Sequence, residues 1–268
     1  MPVKYKHQYL IKEVKAGDTI EVYKTQSSRY GYNIPRKENT GDTPEAVEKN
    51  NQRLAEDILR QLINENFQNN DLHAILKYFI ENRPKTPEQA QKDVQAWIRR
   101  LRVKLKKLGE ELKYIYAIEI GEKGGVHVHV IMNYVDIRII KETWPLGSVY
   151  FVPLYSDGQY KDLANYIIKQ TSEMYKKKGW SGRRYTPSKN LSKPKVDKRR
   201  VDAKSWRKEP KPPKGYMFDP SFPLINGVCE VTGLTYQRYG FIKIKTYKER
   251  YQQRGLPAND LQAAERAL

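Results

Sequence analysis

One short alternation constrains this chain more than any other feature: Val126, Val128 and Val130 are interleaved with His127 and His129, two of only four histidines in 268 residues. Successive side chains on a strand point to opposite faces, so the valines can enter a core while both imidazoles stand on the other face. Two parallel imidazoles form half of a metal site. Residues 112–120 (Leu-Lys-Tyr-Ile-Tyr-Ala-Ile-Glu-Ile) are rich in β-branched and aromatic residues, and the glycines between the two runs suit a hairpin turn. Antiparallel pairing then sets Glu119 near the turn and across from the histidine pair. Glu122, in the loop itself, is the alternative carboxylate.

Further along, Asp162-Leu-Ala-Asn-Tyr166-Ile-Ile-Lys169 has the spacing of an amphipathic helix, with Leu163 and Ile167 inward and Tyr166 and Lys169 three apart on one face. A tyrosine beside an ammonium group can act as a nucleophile, because the cation favours phenolate and can hold an attacked phosphate. With 20 tyrosines and 50 basic residues in the chain, the pair draws its weight from order: it follows the Glu…His-X-His hairpin by about forty residues.

Glu119, His127-Val-His129 and Tyr166-Ile-Ile-Lys169, in that order, resemble the metal and nucleophile motifs of the HUH endonucleases. The likeness is greatest to single-tyrosine rolling-circle replication initiators of plasmids, integrative elements and phages. Residues 87–105 with Ile98-Arg-Arg-Leu-Arg102, the run Glu111-Leu-Lys-Tyr-Ile115, residues 162–170 and, more loosely, Ser181-Gly-Arg-Arg-Tyr-Thr-Pro-Ser188 are similar to initiators of Gram-positive bacterial elements. The resemblance covers residues 71 to about 190.

It implies that Glu119, His127 and His129 hold a divalent ion and that Tyr166 attacks a phosphate of single-stranded or hairpin origin DNA. The products would be a 5′-phosphotyrosine and a free 3′-hydroxyl, with Lys169 orienting the tyrosine or the phosphate. The ion is expected to be manganese or magnesium; two imidazoles and a carboxylate suit manganese better, and the same donors also accept zinc. Position 162 is Asp, so a two-tyrosine site is not expected. The first motif of the family matches Leu72-His-Ala-Ile-Leu-Lys-Tyr-Phe79 loosely, and His73 within it reads as a surface or structural residue. No P-loop pattern occurs, so a host helicase and a DNA polymerase are the implied partners.

The charge is +19, from 50 Lys and Arg against 31 Asp and Glu, and +13 of it lies between residues 176 and 214. Such a surplus marks a polyanion partner. Lys176, Lys177, Lys178, Trp180, Arg183, Arg184, Tyr185 and Lys189 interleave cations with aromatics, a composition that tracks phosphates and stacks on unpaired bases. The prolines of residues 208–215 read as linker.

The fold expected is α+β: a ferredoxin-like or RRM-like antiparallel sheet with helices on one face. Strands are predicted at 71–79, 112–120, 126–134 and 148–153, and helices at 87–108 and 159–177. Thr86-Pro87-Glu88-Gln89 is a capping box with Pro at the first helical position, and Val94, Trp97, Ile98, Leu101 and Leu105 form a core stripe behind it. A helix beginning near Thr43 is expected to present Leu54, Ile58, Leu62 and Ile63 to a core. The organisation is then an N-terminal extension over 1–70, the nicking domain over 71–190, the basic segment over 176–214, and a small segment over 215–268. That last segment has paired strands at 225–231 and 239–244 and a short helix at its end.

No apolar run approaches the roughly twenty residues that span a bilayer, no secretory pattern opens the chain, and the lone Cys229 excludes an internal disulfide. These features predict a cytoplasmic, reduced protein without a membrane partner; oligomeric state stays open. Other readings are a relaxase or transposase of the same chemistry, an origin-binding protein without cleavage, and an RNA-binding module. The relaxase class usually places its tyrosine ahead of the histidines, and a module that only binds has no use for the tyrosine or the metal trio.

Overall fold

The computed structural model describes residues 8–26, 45–121, 125–154, 158–178, 183–228 and 234–245. In chain order the elements are β1 (Tyr9–Ala16), β2 (Thr19–Gln26), α1 (Glu45–Asn66), β3 (Leu72–Lys77), α2 (Pro87–Lys107), β4 (Tyr114–Ile120) and β5 (Val126–Met132). They continue with α3 (Ile137–Thr143), β6 (Val149–Pro153), α4 (Lys161–Lys178), β7 (Thr186–Pro187), β8 (Lys195–Val201), β9 (Tyr216–Phe218), β10 (Ile225–Val228) and β11 (Thr235–Lys243). Two compact units result: Asn66–Ser192 forms one, and the residues up to Glu65 join Lys193–Lys245 in the other.

The unit of residues 66–192 is built on the antiparallel sheet β6-β3-β5-β4-β7. Numbered from β3, its four long strands lie in the order 4-1-3-2 with a helix after the first and the third, which is the ferredoxin-like α+β arrangement. Alternation decides what each face does. Leu72, Ala74, Leu76, Tyr116, Ile118, Val126, Val128 and Val130 form one core with Val94, Trp97, Ile98, Leu101 and Leu105 of α2 and Ile140 of α3. The expected cap of α2 is present: Thr86 accepts from the Gln89 amide, and Pro87 opens the helix. α4, after the last long strand, lies against β4 and carries Tyr166 to the opposite face, where His129 meets its ring. Between α3 and β6 the chain passes so close to β3 that a Cβ on Gly147 would sit 1.8 Å from the Lys77 carbonyl oxygen. Only glycine permits that approach.

The other unit is a second antiparallel sheet, β10-β11-β2-β1-β8, with β9 added to β11. β10 and β11 pair as their sequence predicts. β1 and β8 lie beyond the sequence reading, because their charged residues hide the alternation. β8 (Lys-Val-Asp-Lys-Arg-Arg-Val) is an edge strand, exposed along nearly its whole length and held by a seven-pair ladder to β1. Lysines and arginines on such an edge discourage further strand pairing.

α1 forms and buries Ile63 as expected, but the rest of its buried face differs from the expected one. Leu54 and Ile58 are exposed, whereas Leu59, Arg60, Gln61, Ile63 and Asn64 are buried. The reason is polar complementarity with β2. The Arg60 guanidinium donates to both Glu21 oxygens at 2.9 and 2.8 Å, Gln61 donates to Glu21 at 2.6 Å, and Tyr23 donates to it at 2.7 Å. An apolar stripe could not meet a buried carboxylate without leaving it unpaired. Among the described residues no helix is long and apolar enough to cross a membrane.

Candidate active site

The hairpin of β4 and β5 closes through the Gly121 amide, which donates to the Gly125 carbonyl at 2.8 Å. Its register sets Glu119 directly opposite His127 and Ala117 opposite His129. Directly opposed residues share a face, so the carboxylate and both imidazoles project away from the valine core. His129 Nε2 lies 2.7 Å from Glu119 Oε2.

β3 supplies a partner that sequence reasoning placed elsewhere. His73, read as surface or structural, is buried (8% exposed) and sets its Nε2 3.1 Å from Nδ1 of the buried His129. The two rings stack at 5.3 Å between centroids. The signal was available only jointly: once β3 neighbours β5, Ile75 pairs with His129 and Lys77 with His127, so His73, Ile75 and Lys77 share the face of the histidines. Burial, then the neighbouring His129, pulls His73 down to about 4, so it stands neutral at ordinary pH.

From α4, the Tyr166 ring meets His129 edge-on at 5.3 Å, near enough to Glu119 for that carboxylate's charge to act on its phenol. The result is a hydrogen-bonded line, His73 to His129 to Glu119, drawn from three strands, with Tyr166 of α4 set against His129. Tyr166 is 41% exposed, open to a substrate. Burial first, and then the Glu119 carboxylate, pushes its phenol up from the usual range. Lys169, one turn on along α4, is exposed and is not among the causes of that shift. The His129 hydrogen bond holds the Glu119 carboxyl below its ordinary value against the opposing effect of burial. Burial pulls the His127 imidazole down; Lys77, His129 and Arg83 add to this, and Glu119 opposes it.

As a set of donors, a carboxylate and two imidazoles suit a divalent cation, and Glu119 and His129 already converge on one point. No three His, Cys, Asp or Glu side chains among the described residues are drawn together around a common centre, so His127 stands in register but apart. His73 can supply the outer support that metal-bound histidines require: without an ion His129 Nε2–H donates to Glu119, and in a metal-bound site His129 Nδ1–H would donate to His73 Nε2 and free the Nε2 lone pair for the ion.

Residues 75–173 match the family model of replication-associated protein ORF2/G2P. The matched stretch runs from β3 into α4 and contains Glu119, His127, His129, Tyr166 and Lys169. The match covers residues 75–173 alone, and what it supports is a likeness of that stretch to replication-associated proteins. No curated protein and no solved structure matches the chain.

Of the residues singled out for nucleic-acid contact, four have described side chains, all of them beside β7. Arg183 and Lys189 are exposed, while Arg184 and Tyr185 are half-buried beside β7, where burial pushes the Tyr185 phenol up. β7 itself is tied to the edge of β4, with Ser188 accepting from the Tyr114 amide. Trp180, Glu122, Cys229, the side chains of Lys176, Lys177 and Lys178, and the helix expected at the C-terminal end lie outside the described residues.

Proposed function

We propose that this protein is a rolling-circle replication initiator that nicks and rejoins single-stranded origin DNA through Tyr166. The observation that carries the reading is the Tyr166 ring set edge-on against His129, within the line that runs from His73 through His129 to Glu119. It sets a solvent-open phenol beside the Glu119 carboxylate, on the face where two histidines stand in register.

In this reading Tyr166 Oη attacks the scissile phosphorus in line with the 3′-oxygen. The phenolic proton passes toward Glu119, the P–O3′ bond breaks, and the departing oxygen takes up a proton as a free 3′-hydroxyl. A 5′-phosphotyrosine remains, and the same hydroxyl can later attack it and restore the strand. Because burial and Glu119 hold the phenol up, the tyrosine rests protonated and is activated only when a phosphate is seated. Glu119, His129 and His127 would hold a divalent ion, Mn²⁺ or Mg²⁺. When bound, the ion supplies positive charge against a non-bridging phosphate oxygen. Lys169 contributes a cation on the same helix face as the nucleophile, and Arg183, Arg184, Tyr185 and Lys189, with Lys176, Lys177, Lys178 and Trp180, contact the flanking strand. A host helicase and polymerase would use the 3′-hydroxyl.

The test is a denaturing gel of the full chain with a pool of single-stranded oligonucleotides from its own element, with Mn²⁺ or with EDTA, beside Tyr166→Phe. A Mn²⁺-dependent protein–DNA adduct that is absent from Tyr166→Phe is expected. Tight binding to a pool containing the true site with no adduct under either metal would leave an origin-binding protein without cleavage.

A further inference from the structure

The face that carries the site is covered unevenly. α4 lies over β4, whereas on β6 and on β3 beyond the buried His73 the side chains of this face are open: Ile75 is half-exposed, and Lys77, Tyr150 and Val152 are exposed. Alternation fixes their direction. Val149 and Phe151 pack against the core with α2, so Tyr150 and Val152 stand on the other face. Register then lines them up with the site. Tyr150 pairs with Ile75, and Ile75 with His129, in one row; the next row toward the hairpin loop holds Lys77, His127 and Glu119. With strands about 4.8 Å apart, the Tyr150 backbone lies about 10 Å from that of His129, within reach of a nucleotide neighbouring a phosphate held at the site.

Single exposed apolar side chains are ordinary, but a contiguous strip running into a polar site is not. Tyr150 leaves 60% of its surface open. Lys77 and Arg83 bring positive charge near His127, and Lys77 does so from the side away from Glu119, since β3 and β4 flank β5. An aromatic platform edged by cations and continuous with a tyrosine nucleophile fits single-stranded DNA. A duplex hides the base faces that such a platform would stack on, and an unpaired strand presents them. Lys77 is also held firmly: its amide donates to Ser148 at 2.8 Å, and its carbonyl accepts from the Trp144 indole at 3.1 Å.

We infer that the strip of Ile75, Lys77, Tyr150 and Val152 seats the single-stranded DNA flanking the phosphate that Tyr166 attacks. Tyr150 stacks on an unpaired base and Lys77 contacts a phosphate. The placement beside the scissile phosphate rests on the nicking reading proposed above.

Two measurements on the full chain test it. The first is the affinity for fluorescein-labelled oligothymidylate at raised salt, where the basic segment contributes less. Tyr150→Ala is expected to weaken binding at least about fivefold and Tyr150→Trp to restore it. Tyr134→Ala, which removes an equally exposed tyrosine outside the strip, should leave binding unchanged. Lys77→Ala should lower the slope of log affinity against log salt by about 0.7. The second is photocrosslinking of an oligonucleotide carrying 5-iododeoxyuridine, mapped by mass spectrometry, with Tyr150 as the expected site. Wild-type affinity in Tyr150→Ala with a normal melting temperature and no crosslink at Tyr150 overturns the inference, even where the Tyr166 adduct forms. Loss of affinity in Tyr150→Ala with rescue by tryptophan, in a protein that forms no adduct, keeps the seat and removes the nicking. Failure of the wild-type chain to bind the oligonucleotide overturns both.

Discussion

Replacing His73 by leucine isolates what the outer histidine does for the site. Its Nε2 and His129 Nδ1 are 3.1 Å apart with both residues buried, so leucine leaves a nitrogen of His129 facing an apolar group with no route to water. An unsatisfied buried polar atom costs about 1–3 kcal/mol. The loss should fall in part on the ion, because His129 Nε2 would offer an ion its lone pair only in the tautomer whose Nδ1–H has an acceptor. Removing such an outer partner typically weakens metal affinity about 10–100-fold, or roughly 1.4–2.8 kcal/mol, the same size as the hydrogen-bond figure. Mn²⁺ affinity of the full chain, read from the loss of the free-ion electron paramagnetic resonance signal, measures this without DNA. Urea unfolding in EDTA measures the ion-free cost. His73→Gln, which keeps an acceptor, should recover part of the affinity. Equal Mn²⁺ affinity in wild type, His73→Leu and His73→Gln would refute the role of His73 as a support for His129.

In the second unit, Arg60→Met should cost about 3–5 kcal/mol by leaving the buried Glu21 and Asp57 carboxylates without their shared cation, and Glu21→Leu should cost less because Arg60 keeps Asp57; an Arg60→Met that costs no more than Glu21→Leu in urea titrations would refute this. Burial pushes the Tyr239 phenol up to about 12, above an unfolded value near 10, so its contribution is complete below about pH 10 and is lost as pH rises toward 12. A difference of that size is worth about 2.7 kcal/mol, and Tyr239→Phe should fall less in stability than wild type between those pH values in unfolding curves. Gly147→Ala should destabilise the Asn66–Ser192 unit by about 3 kcal/mol, because the new methyl meets the Lys77 carbonyl and must part β3 from the turn before β6; an unchanged melting temperature would contradict the close approach.

What was legible in advance depended on how local the signal was. The hairpin, the α2 stripe with its Thr86 cap and the face of α4 that carries Tyr166 all stand where alternation, turn residues and helical spacing set them. Each is decided by neighbours within a few residues, which is the range over which side-chain direction follows from backbone geometry. β8 was not legible, since Lys-Val-Asp-Lys-Arg-Arg-Val has no apolar period and becomes a strand only because β1 offers it a ladder. The face of α1 was misjudged for a related reason: Leu54 and Ile58 make the better stripe in isolation, but Glu21 on β2 requires Arg60 and Gln61.

The candidate site divides along the same line. Sequence by itself determined that Glu119, His127 and His129 share a hairpin face and that a helix bearing Tyr166 follows, because period and turn chemistry are properties of contiguous residues. Tertiary structure alone decided that His73 buttresses His129, that Tyr166 reaches Glu119 from the far side of the chain, and that Tyr150 stands in the same row as His129. Those contacts join residues between 47 and 75 positions apart or meet through an intervening strand. Which strands become neighbours is settled by closing the whole sheet around one core, and no local pattern encodes that closure.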